Sequence, residues 1–277
     1  MIDRKRVRDS FGRHAREYEN HASVQKRVLA MFLELLKSED IEPRRILDVG
    51  SGTGMLLRSL RGMYGDVCAV GIDLAMGMSR KARDNTKTDM RTHILNADAE
   101  NLPFSVATFD MVISTSTFQW LSELDMAFGE AFRVLIPGGL FCFALFGEKT
   151  LHELRASYRS ALAAHSCAEK DRTHTFLSQE EVKSALKRAG FSGCRVSSQV
   201  ELDVHDNVPG LLRSLKRIGA GNASPITPIG LAGKSIMLDM MRRYTDIYGK
   251  GSGIPASYEI IYGLGRKVSI SAPPSDS

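Results

Sequence analysis

Short apolar runs alternate with amphipathic stretches through the first half of the chain. Residues 24–36 place apolar side chains on one helical face, and Pro43 stops that segment. The apolar runs that follow have the length of buried strands. We predict strands at residues 45–49, 67–72, 92–95, 109–114 and 140–146, and helices between them at residues 55–63, 76–85 and 124–135. This alternation is typical of an α/β fold with a doubly wound, mostly parallel sheet.

The alternation changes after Gly147. We predict helices at residues 151–164 and 178–189, and the second of them begins with the capping box Ser178-Gln-Glu-Glu. Two further strands are predicted at residues 194–202 and 257–264, on either side of a helical insert at about residues 207–253.

The length of 277 residues permits one domain made of consecutive parts. We expect an N-terminal helical segment in residues 1–40, a core in residues 41–146 and, within the same domain, a C-terminal part in residues 147–268. Residues 269–277 include two prolines among small polar side chains, so we expect a disordered tail there.

Composition and charge narrow the protein class only slightly. Lys and Arg number 37 against 32 Asp and Glu, which gives a net charge of +5. This mild excess fits either plain solubility or an acidic partner such as nucleic acid or a carrier protein. We see neither a secretory signal nor an apolar run that could span a membrane, and the four cysteines lack C-x-x-C spacing. We therefore expect a cytoplasmic protein with reduced cysteines, and the scattered histidines predict no metal site.

The turn after the first strand carries the strongest chemical signal. It reads Asp48-Val-Gly-Ser-Gly-Thr-Gly, and its glycines allow a sharp bend and the close approach of a ligand. A helix N-terminus follows, which favours a carboxylate or phosphate. The spacing differs from the G-x-G-x-x-G pattern of dinucleotide-binding proteins, and the Asp48 carboxylate would repel a pyrophosphate. A ligand with an amino-acid end is favoured over NAD, and the alternative is a tight turn without a ligand.

Two more acids follow the next two strands. Asp73 ends the second strand, where a carboxylate can accept hydrogen bonds from both hydroxyls of a ribose, or can cap the next helix. Asp98 follows the third strand, where it could accept from an adenine amino group or lie in a solvated loop. In a doubly wound sheet, ligands bind at the carboxyl ends of the strands. Both acids therefore support a nucleoside-binding site next to Asp48.

In combination, these motifs resemble the class I S-adenosylmethionine-dependent methyltransferases. Residues 48–54 match the family's first motif, Asp73 matches its ribose acid, and residues 96–104 match its adenine loop. Residues 109–114 and 135–139 match its fourth strand and the turn before the fifth. The resemblance implies S-adenosylmethionine as cofactor and a seven-stranded, Rossmann-like sheet in the order 3-2-1-4-5-7-6. The seventh strand would run antiparallel to its neighbours.

The segment after the fourth strand argues against methylation of nucleic acid. Amino-methylating members often carry Asn or Asp, two prolines and an aromatic residue there, whereas this chain has Ser114-Thr-Ser-Thr-Phe-Gln-Trp-Leu. Its aromatic residues, Phe118 and Trp120, either line a cofactor pocket or belong to the core.

Aromatic and polar side chains also recur at helical spacing in the N-terminal segment. Phe11, Tyr18 and His21 are candidates for a lid over the cofactor that excludes water. The alternative is a helix that merely packs on the sheet.

Four segments outside the shared core resemble one family more closely. These are residues 11–18, 147–158, 211–222 and 256–263. They match the malonyl-[acyl-carrier protein] O-methyltransferases of biotin synthesis. The resemblance implies methylation of the free carboxylate of a malonyl thioester, which disguises it for fatty-acid elongation toward pimelate. The implied partner is malonyl-acyl carrier protein or malonyl-coenzyme A, with no nucleic acid and no membrane.

A carboxylate acceptor needs little acid–base chemistry. Its pKa lies near 4, so it is already ionised at neutral pH and needs no general base. The enzyme has to remove water from it and align it with the methyl group. The candidates for orienting it are Arg213, Lys216, Arg217 and Asn222, with Lys149 and Arg155 as second choices. The three basic residues of the insert share one helical face, which could instead bind the carrier protein or its phosphopantetheine phosphate, or simply be solvated.

These inferences give a specific set of site residues. Those expected to bind the cofactor are Tyr18, His21, Asp48, Gly50, Ser51, Gly52, Gly54, Asp73, Leu74, Met78, Ala97, Asp98, Ala99, Ser114 and Gln119. Those expected to act at methyl transfer are Tyr18, Arg213, Lys216 and Asn222.

Three rival functions remain open at this point. The first is a methyltransferase with the same core that acts on another small acid or a quinone ring. The second is a non-catalytic assembly factor, because mitochondrial complex I assembly proteins look similar to this family. The third is an NAD-dependent oxidoreductase, which the glycine spacing disfavours.

Overall fold

Seven strands form one sheet in the computed structural model, which describes residues 3–165, 173–221, 230–251 and 253–268. The strands are β1 (Arg45–Val49), β2 (Cys68–Asp73), β3 (Thr92–Asn96), β4 (Phe109–Thr115), β5 (Leu135–Phe146), β6 (Ser192–His205) and β7 (Ile254–Arg266). Their order is β3-β2-β1-β4-β5-β7-β6, and β7 runs antiparallel to both β5 and β6. The predicted doubly wound fold, strand order and antiparallel seventh strand are confirmed.

Helices cover both faces of this sheet. They are α1 (Arg4–His14), α2 (Tyr18–His21), α3 (Ser23–Lys37), α4 (Met55–Tyr64), α5 (Met76–Thr86), α6 (Leu124–Val134), α7 (His152–Ala164), α8 (Gln179–Arg188), α9 (Val208–Arg217) and α10 (Gly230–Tyr248). Successive side chains of a strand point to opposite faces. Ile46 of β1 therefore packs in the cluster with α3 and α4, whereas Leu47 packs in the cluster with α6 and α8.

Some element boundaries differ from the predictions. The turn expected at residues 137–139 is part of β5, because Leu135 already pairs with Phe109 before the register shifts. Strands β6 and β7 are longer than predicted and pair from Ser192 to His205. Apolar periodicity missed the ends of β6 because it is an edge strand with many exposed side chains. The capping box at Ser178 is confirmed, with reciprocal hydrogen bonds to Glu181.

Helix α1 packs against α5 through two glycines. A Cβ atom added to Gly77 of α5 would lie 2.2 Å from the carbonyl oxygen of Gly12 in α1. The crossing therefore requires glycine at position 77, and it holds α1 near the carboxyl end of β2.

The division of the chain into residues 1–40, 41–146 and 147–268 stays a prediction. The expected tail at residues 269–277 lies outside the described residues. Within the parts of the chain that the structure describes, no helix is both long and apolar enough to cross a membrane.

Candidate functional site

A cavity of about 780 Å³ lies at the carboxyl ends of the first three strands, and we call it the strand-end cavity. It is lined by the turn after β1, the end of β2 and the loop after β3, and by Val7 and Phe11 of α1. Its mostly apolar walls with a few charged groups are typical of a small-molecule site.

The turn after β1 keeps its shape through a left-handed glycine. Gly50 has a φ of 75°, and an added Cβ would lie 2.0 Å from Oγ1 of Thr117. The N–H groups of Gly50 and Ser51 both donate to the carbonyl oxygen of Ile72 at 2.8 Å, which joins the turn to the end of β2. A side chain at position 50 would strain the backbone and collide with the wall of the cavity.

Asp73 is fixed at the end of β2 by two backbone donors. The N–H of Gly52 donates to Oδ2 at 3.0 Å, and the N–H of Ala75 donates to Oδ1 at 2.7 Å. Burial raises the pKa of the Asp73 carboxyl to about 6, and these two hydrogen bonds oppose the rise. The carboxylate lines the strand-end cavity, so it is in place to accept from ligand hydroxyls.

Asp98 lines the same cavity from the loop after β3. Its Oδ1 accepts from Nη2 of Arg4 at 2.6 Å and from the N–H of Glu100 at 3.0 Å. Arg4 also forms an ion pair with the carboxylate of Glu100. The first turn of α1 is thereby attached to the loop that carries Asp98.

Asp48 lines a smaller cavity of about 390 Å³ under the glycine turn, which we call the turn cavity. Asp48 is 1 % exposed, and its Oδ2 has no hydrogen-bond partner within the described part of the chain. Burial, followed by the negative charge of Asp73, raises the pKa of the Asp48 carboxyl to about 8. A buried oxygen without a donor is costly, and an ammonium group would supply both a donor and a compensating charge. The site therefore fits a ligand with an amino-acid end.

A third cavity of about 420 Å³, the side cavity, adjoins the strand-end cavity. The two cavities share Phe11, Tyr18, Ser116 and Trp120. Among the residues that the structure describes, none that lines the side cavity is charged. Its polar side chains are Tyr18, Gln25, Ser116, Gln119, Thr150 and Tyr258.

Two residues of the side cavity adopt a left-handed backbone without being glycine. Ser116 has a φ of 57° and Leu151 a φ of 51°. Their N–H groups hold these conformations, with the N–H of Ser116 donating to Ala144 at 2.8 Å and that of Leu151 to Ser257 at 2.6 Å. Such backbone costs of order 1–3 kcal/mol and is concentrated at functional sites. The side cavity thus has the strain expected of a binding site.

The imidazole next to the side cavity is uncharged. His174 stacks on Trp120 with ring centroids 4.9 Å apart and is 7 % exposed. Burial lowers its pKa to about 4, so it is neutral near pH 7. Arg155 lies 5.8 Å from the ring centroid of Phe176, which lines the side cavity, while Lys149 forms an ion pair with Glu259.

Most of the residues expected to bind the cofactor come together here. The strand-end cavity is lined by Tyr18, Gly50, Gly52, Asp73, Leu74, Met78, Ala97, Asp98 and Ala99. The turn cavity is lined by Tyr18, Asp48, Gly50, Ser51 and Gly52. Tyr18 lines all three cavities, and Trp120 lines two of them, whereas Phe118 packs in the core.

Four of the expected cofactor residues lie elsewhere. The hydroxyl of Ser114 donates to the carbonyl of Val49 at 2.7 Å and joins β4 to β1 inside the sheet. Gly54 is the N-cap of α4, His21 ends α2, and neither lines the three cavities. Gln119 lines the side cavity instead of the strand-end cavity, and its amide donates to the carbonyl of Ser116 at 2.7 Å.

Sequence reasoning also missed several residues that line the strand-end cavity. These are Arg4, Val7, Arg8, Ile72, Ala75, Thr115, Ser116, Thr117 and Leu121. The cluster of basic residues near the N-terminus was a usable signal for Arg4 and Arg8. The left-handed backbone of Ser116 had no signal, because serine rarely adopts it.

The candidates for the methyl-transfer step in the insert are not at the cavities. Arg213 and Lys216 are exposed on α9 and line none of the three. Leu215 of the same helix lines the side cavity instead. Asn222 lies outside the described residues. Within those residues, no group of three His, Cys, Asp or Glu side chains is arranged to hold a metal ion.

Comparison with known proteins identifies the family. Residues 47–143 match the methyltransferase domain family. The chain is 51% identical to the malonyl-[acyl-carrier protein] O-methyltransferase of Geobacter sulfurreducens, over 96% of this chain and 100% of that protein. The chain belongs to this enzyme family. The enzyme of the same name from Methylovorus sp. is 37% identical over 95% of this chain and 88% of its own length.

Solved structures agree on the fold. A methyltransferase from Bacillus halodurans has a TM-score of 0.62 at 17% identity, over 87% of this chain and 99% of its own. A phosphoethanolamine N-methyltransferase of Haemonchus contortus in complex with S-adenosylhomocysteine has a TM-score of 0.54 at 20% identity, over 87% of this chain and 53% of its own. Its family membership makes the chain an S-adenosylmethionine-dependent methyltransferase, and the predicted family, enzyme class and cofactor are confirmed.

Proposed function

We propose that this enzyme transfers the methyl group of S-adenosylmethionine to the free carboxylate of malonyl-acyl carrier protein. The observation that carries the proposal is the shared wall of Phe11, Tyr18, Ser116 and Trp120, which brings a neutral side cavity up to the strand-end cavity. The names of the relatives supply the acceptor. The proposal includes the expected cytoplasmic location and a carrier protein in preference to coenzyme A or nucleic acid.

Three carboxylates suit three parts of the cofactor. Asp48 faces the ammonium end, because its buried Oδ2 needs a donor. Asp73 accepts from ribose hydroxyls, and Asp98 offers Oδ2 to the adenine amino group while Oδ1 stays engaged with Arg4. When bound, S-adenosylmethionine supplies an electrophilic methyl group on a sulfonium.

The side cavity suits an acceptor that is already a nucleophile. A carboxylate with a pKa near 4 is ionised at neutral pH, so no residue has to remove a proton. Hydroxyl and amide donors satisfy a buried carboxylate while leaving it more nucleophilic than a salt bridge would. Burial raises the pKa of the Tyr18 phenol above its ordinary value, so this hydroxyl stays protonated and can donate to the acceptor.

Aromatic side chains exclude water at the junction of the two cavities. Phe11 of α1 contacts Trp120 edge to face with ring centroids 5.6 Å apart, and it contacts Tyr18 at 6.3 Å. Removal of water strips the carboxylate of hydrogen bonds that would oppose its attack. Phe11 of α1 and the other aromatic residues between the cavities therefore act together in removing water from the acceptor carboxylate.

Mass spectrometry of purified malonyl-acyl carrier protein tests this function. After incubation with the enzyme and labelled S-adenosylmethionine, we expect one labelled methyl group on the malonyl unit, released as methanol by mild base. Acetyl-acyl carrier protein, which lacks the free carboxylate, is the matched control and should stay unlabelled. Label on free malonate or a quinone alone would support a different acceptor, and cofactor binding without transfer to any of them would support a non-catalytic role.

A further inference from the structure

We infer that the exposed basic face of α9 is the surface on which an acidic carrier protein docks when it delivers the acceptor. This inference rests on the proposed function and adds the place of the partner. Arg213, Lys216 and Arg217 stand at i, i+3 and i+4 spacing, so they share one face of the helix. All three are exposed.

The opposite face of α9 is apolar and belongs to the side cavity. Val208, Leu211 and Leu215 are buried, and Leu215 lines the side cavity together with Ile218 and Ala220 just after the helix. An α-helix with its side chains is about 10 Å across, so the basic face is one helix diameter from the acceptor. A pantetheine arm that ends in the side cavity can therefore have its phosphate and its carrier protein at this face.

Within the described residues, the three cations are not neutralised by neighbouring side chains. No carboxylate of the described residues forms an ion pair with Arg213, Lys216 or Arg217. On the neighbouring helix α10, by contrast, Asp239 neutralises both Arg242 and Arg243. The charges of α9 remain available to a negatively charged partner.

The stability of α9 alone does not explain why three cations lie on one of its faces. Lys216 and Arg217 lie in the last turn, where positive charge is favourable to the helix dipole. Arg213 lies a turn earlier and stands at i, i+4 spacing from Arg217, where two like charges repel and slightly destabilise a helix. An acidic partner removes this repulsion.

The lining of the side cavity distinguishes a docking role of the basic face from a role in holding the acceptor carboxylate. Within the described chain, its polar groups are neutral, so the carboxylate meets hydroxyl and amide groups and not the basic face. Charges at the rim of an interface act mainly by speeding association, and salt screens them. The effect of substitutions on the docking surface should therefore depend on salt concentration.

Charge reversal with matched substrates tests the docking surface. The variant Arg213→Glu/Lys216→Glu is compared with Lys87→Glu/Lys187→Glu, which makes the same change in charge at exposed positions at the end of α5 and on α8. The substrates are malonyl-acyl carrier protein and malonyl-N-acetylcysteamine, a small thioester without phosphate or protein. We expect kcat/KM for the carrier substrate to fall roughly tenfold or more at low salt in the α9 variant, mainly through KM. With the small thioester, all three proteins should agree within about twofold.

Other outcomes would overturn the inference. Equal losses with both substrates would place the two residues in the acceptor machinery, and no loss with the carrier would leave the face without a role. An equal loss with malonyl-coenzyme A would indicate a phosphate site without protein docking. If the wild type methylates neither thioester, the proposed function fails instead. Calorimetric titration with malonyl-acyl carrier protein then still tests docking, and equal affinity of the wild type and the α9 variant would overturn it.

Discussion

The guanidinium of Arg4 joins the first turn of α1 to Asp98, with Nη2 donating to Oδ1 at 2.6 Å. The same guanidinium pairs with Glu100, so two carboxylates of one loop hold the start of the helix. Because α1 lines the strand-end cavity with Val7 and Phe11, this contact fastens one wall of the cavity to the loop that carries Asp98.

Removal of that contact should speed the release of cofactor. The pair is partly exposed, so its loss is worth at most about 1 kcal/mol, or roughly fivefold in affinity. We expect Arg4→Ala to raise the dissociation rate of S-adenosylhomocysteine by about this factor in stopped-flow displacement. Arg13→Ala, an exposed arginine at the other end of α1, is the control and should leave the rate unchanged. Equal rates in the wild type and Arg4→Ala would contradict a fastening role.

The raised pKa of Asp48 predicts opposite effects on stability and on binding. Its carboxyl has a pKa of about 8 in the folded protein against an ordinary value of 3.8, so the folded state retains a proton that the unfolded chain loses. This contribution to stability is fully present below about pH 4 and is lost as pH rises toward 8. We expect ligand-free Asp48→Asn to melt higher than the wild type at pH 9 and to lose less stability between pH 6 and 9.

The same variant should bind cofactor more weakly, by about tenfold or more, because the partner of the ammonium group has lost its charge. Thermal unfolding across pH, with and without S-adenosylhomocysteine, measures both effects. Parallel pH profiles for the two proteins would show that Asp48 is not the titrating group.

Loss of the Asp73 carboxylate should weaken cofactor binding without abolishing the fold. Asp73→Ala removes acceptors for the N–H groups of Gly52 and Ala75 as well as for the ribose. We expect calorimetric affinity for S-adenosylhomocysteine to fall at least about tenfold, since hydrogen bonds to a charged group contribute ~1.5–3 kcal/mol. Asp84→Ala, at an exposed position of α5, is the control. Unchanged affinity in Asp73→Ala would refute the ribose role.

Tyr18 lines all three cavities, and its hydroxyl should act on the acceptor more than on the cofactor. We expect Tyr18→Phe to lower kcat by about tenfold, the value of one hydrogen bond that orients the carboxylate, with cofactor affinity within about twofold. Steady-state kinetics and calorimetry on the same preparation separate the two. Tyr64→Phe, at the end of α4, is the control. If only the cofactor affinity fell, Tyr18 would be assigned to cofactor binding and not to the acceptor.

The sequence was sufficient for the fold and for many of the residues that line the strand-end cavity. The strand pattern and the motifs around Asp48, Asp73 and Asp98 are local in the chain, and parallel strand ends bring such residues together. The sequence could not predict where Gln119 and Ser116 lie, because their positions depend on a backbone conformation that serine rarely adopts.

The orientation of α9 could have been predicted more closely. Leu211 and Leu215 at i, i+4 spacing predict a buried face, which places Arg213 and its basic neighbours on the outside. The pattern could not predict that this buried face lines the side cavity. That contact depends on how the insert packs against the rest of the domain.

Phe11 and Tyr18 are walls of the strand-end cavity and of the side cavity at once. A displacement of α1 would move Phe11 and so alter both cavities at the same time. A substitution at that one aromatic side chain thus reshapes two chambers together.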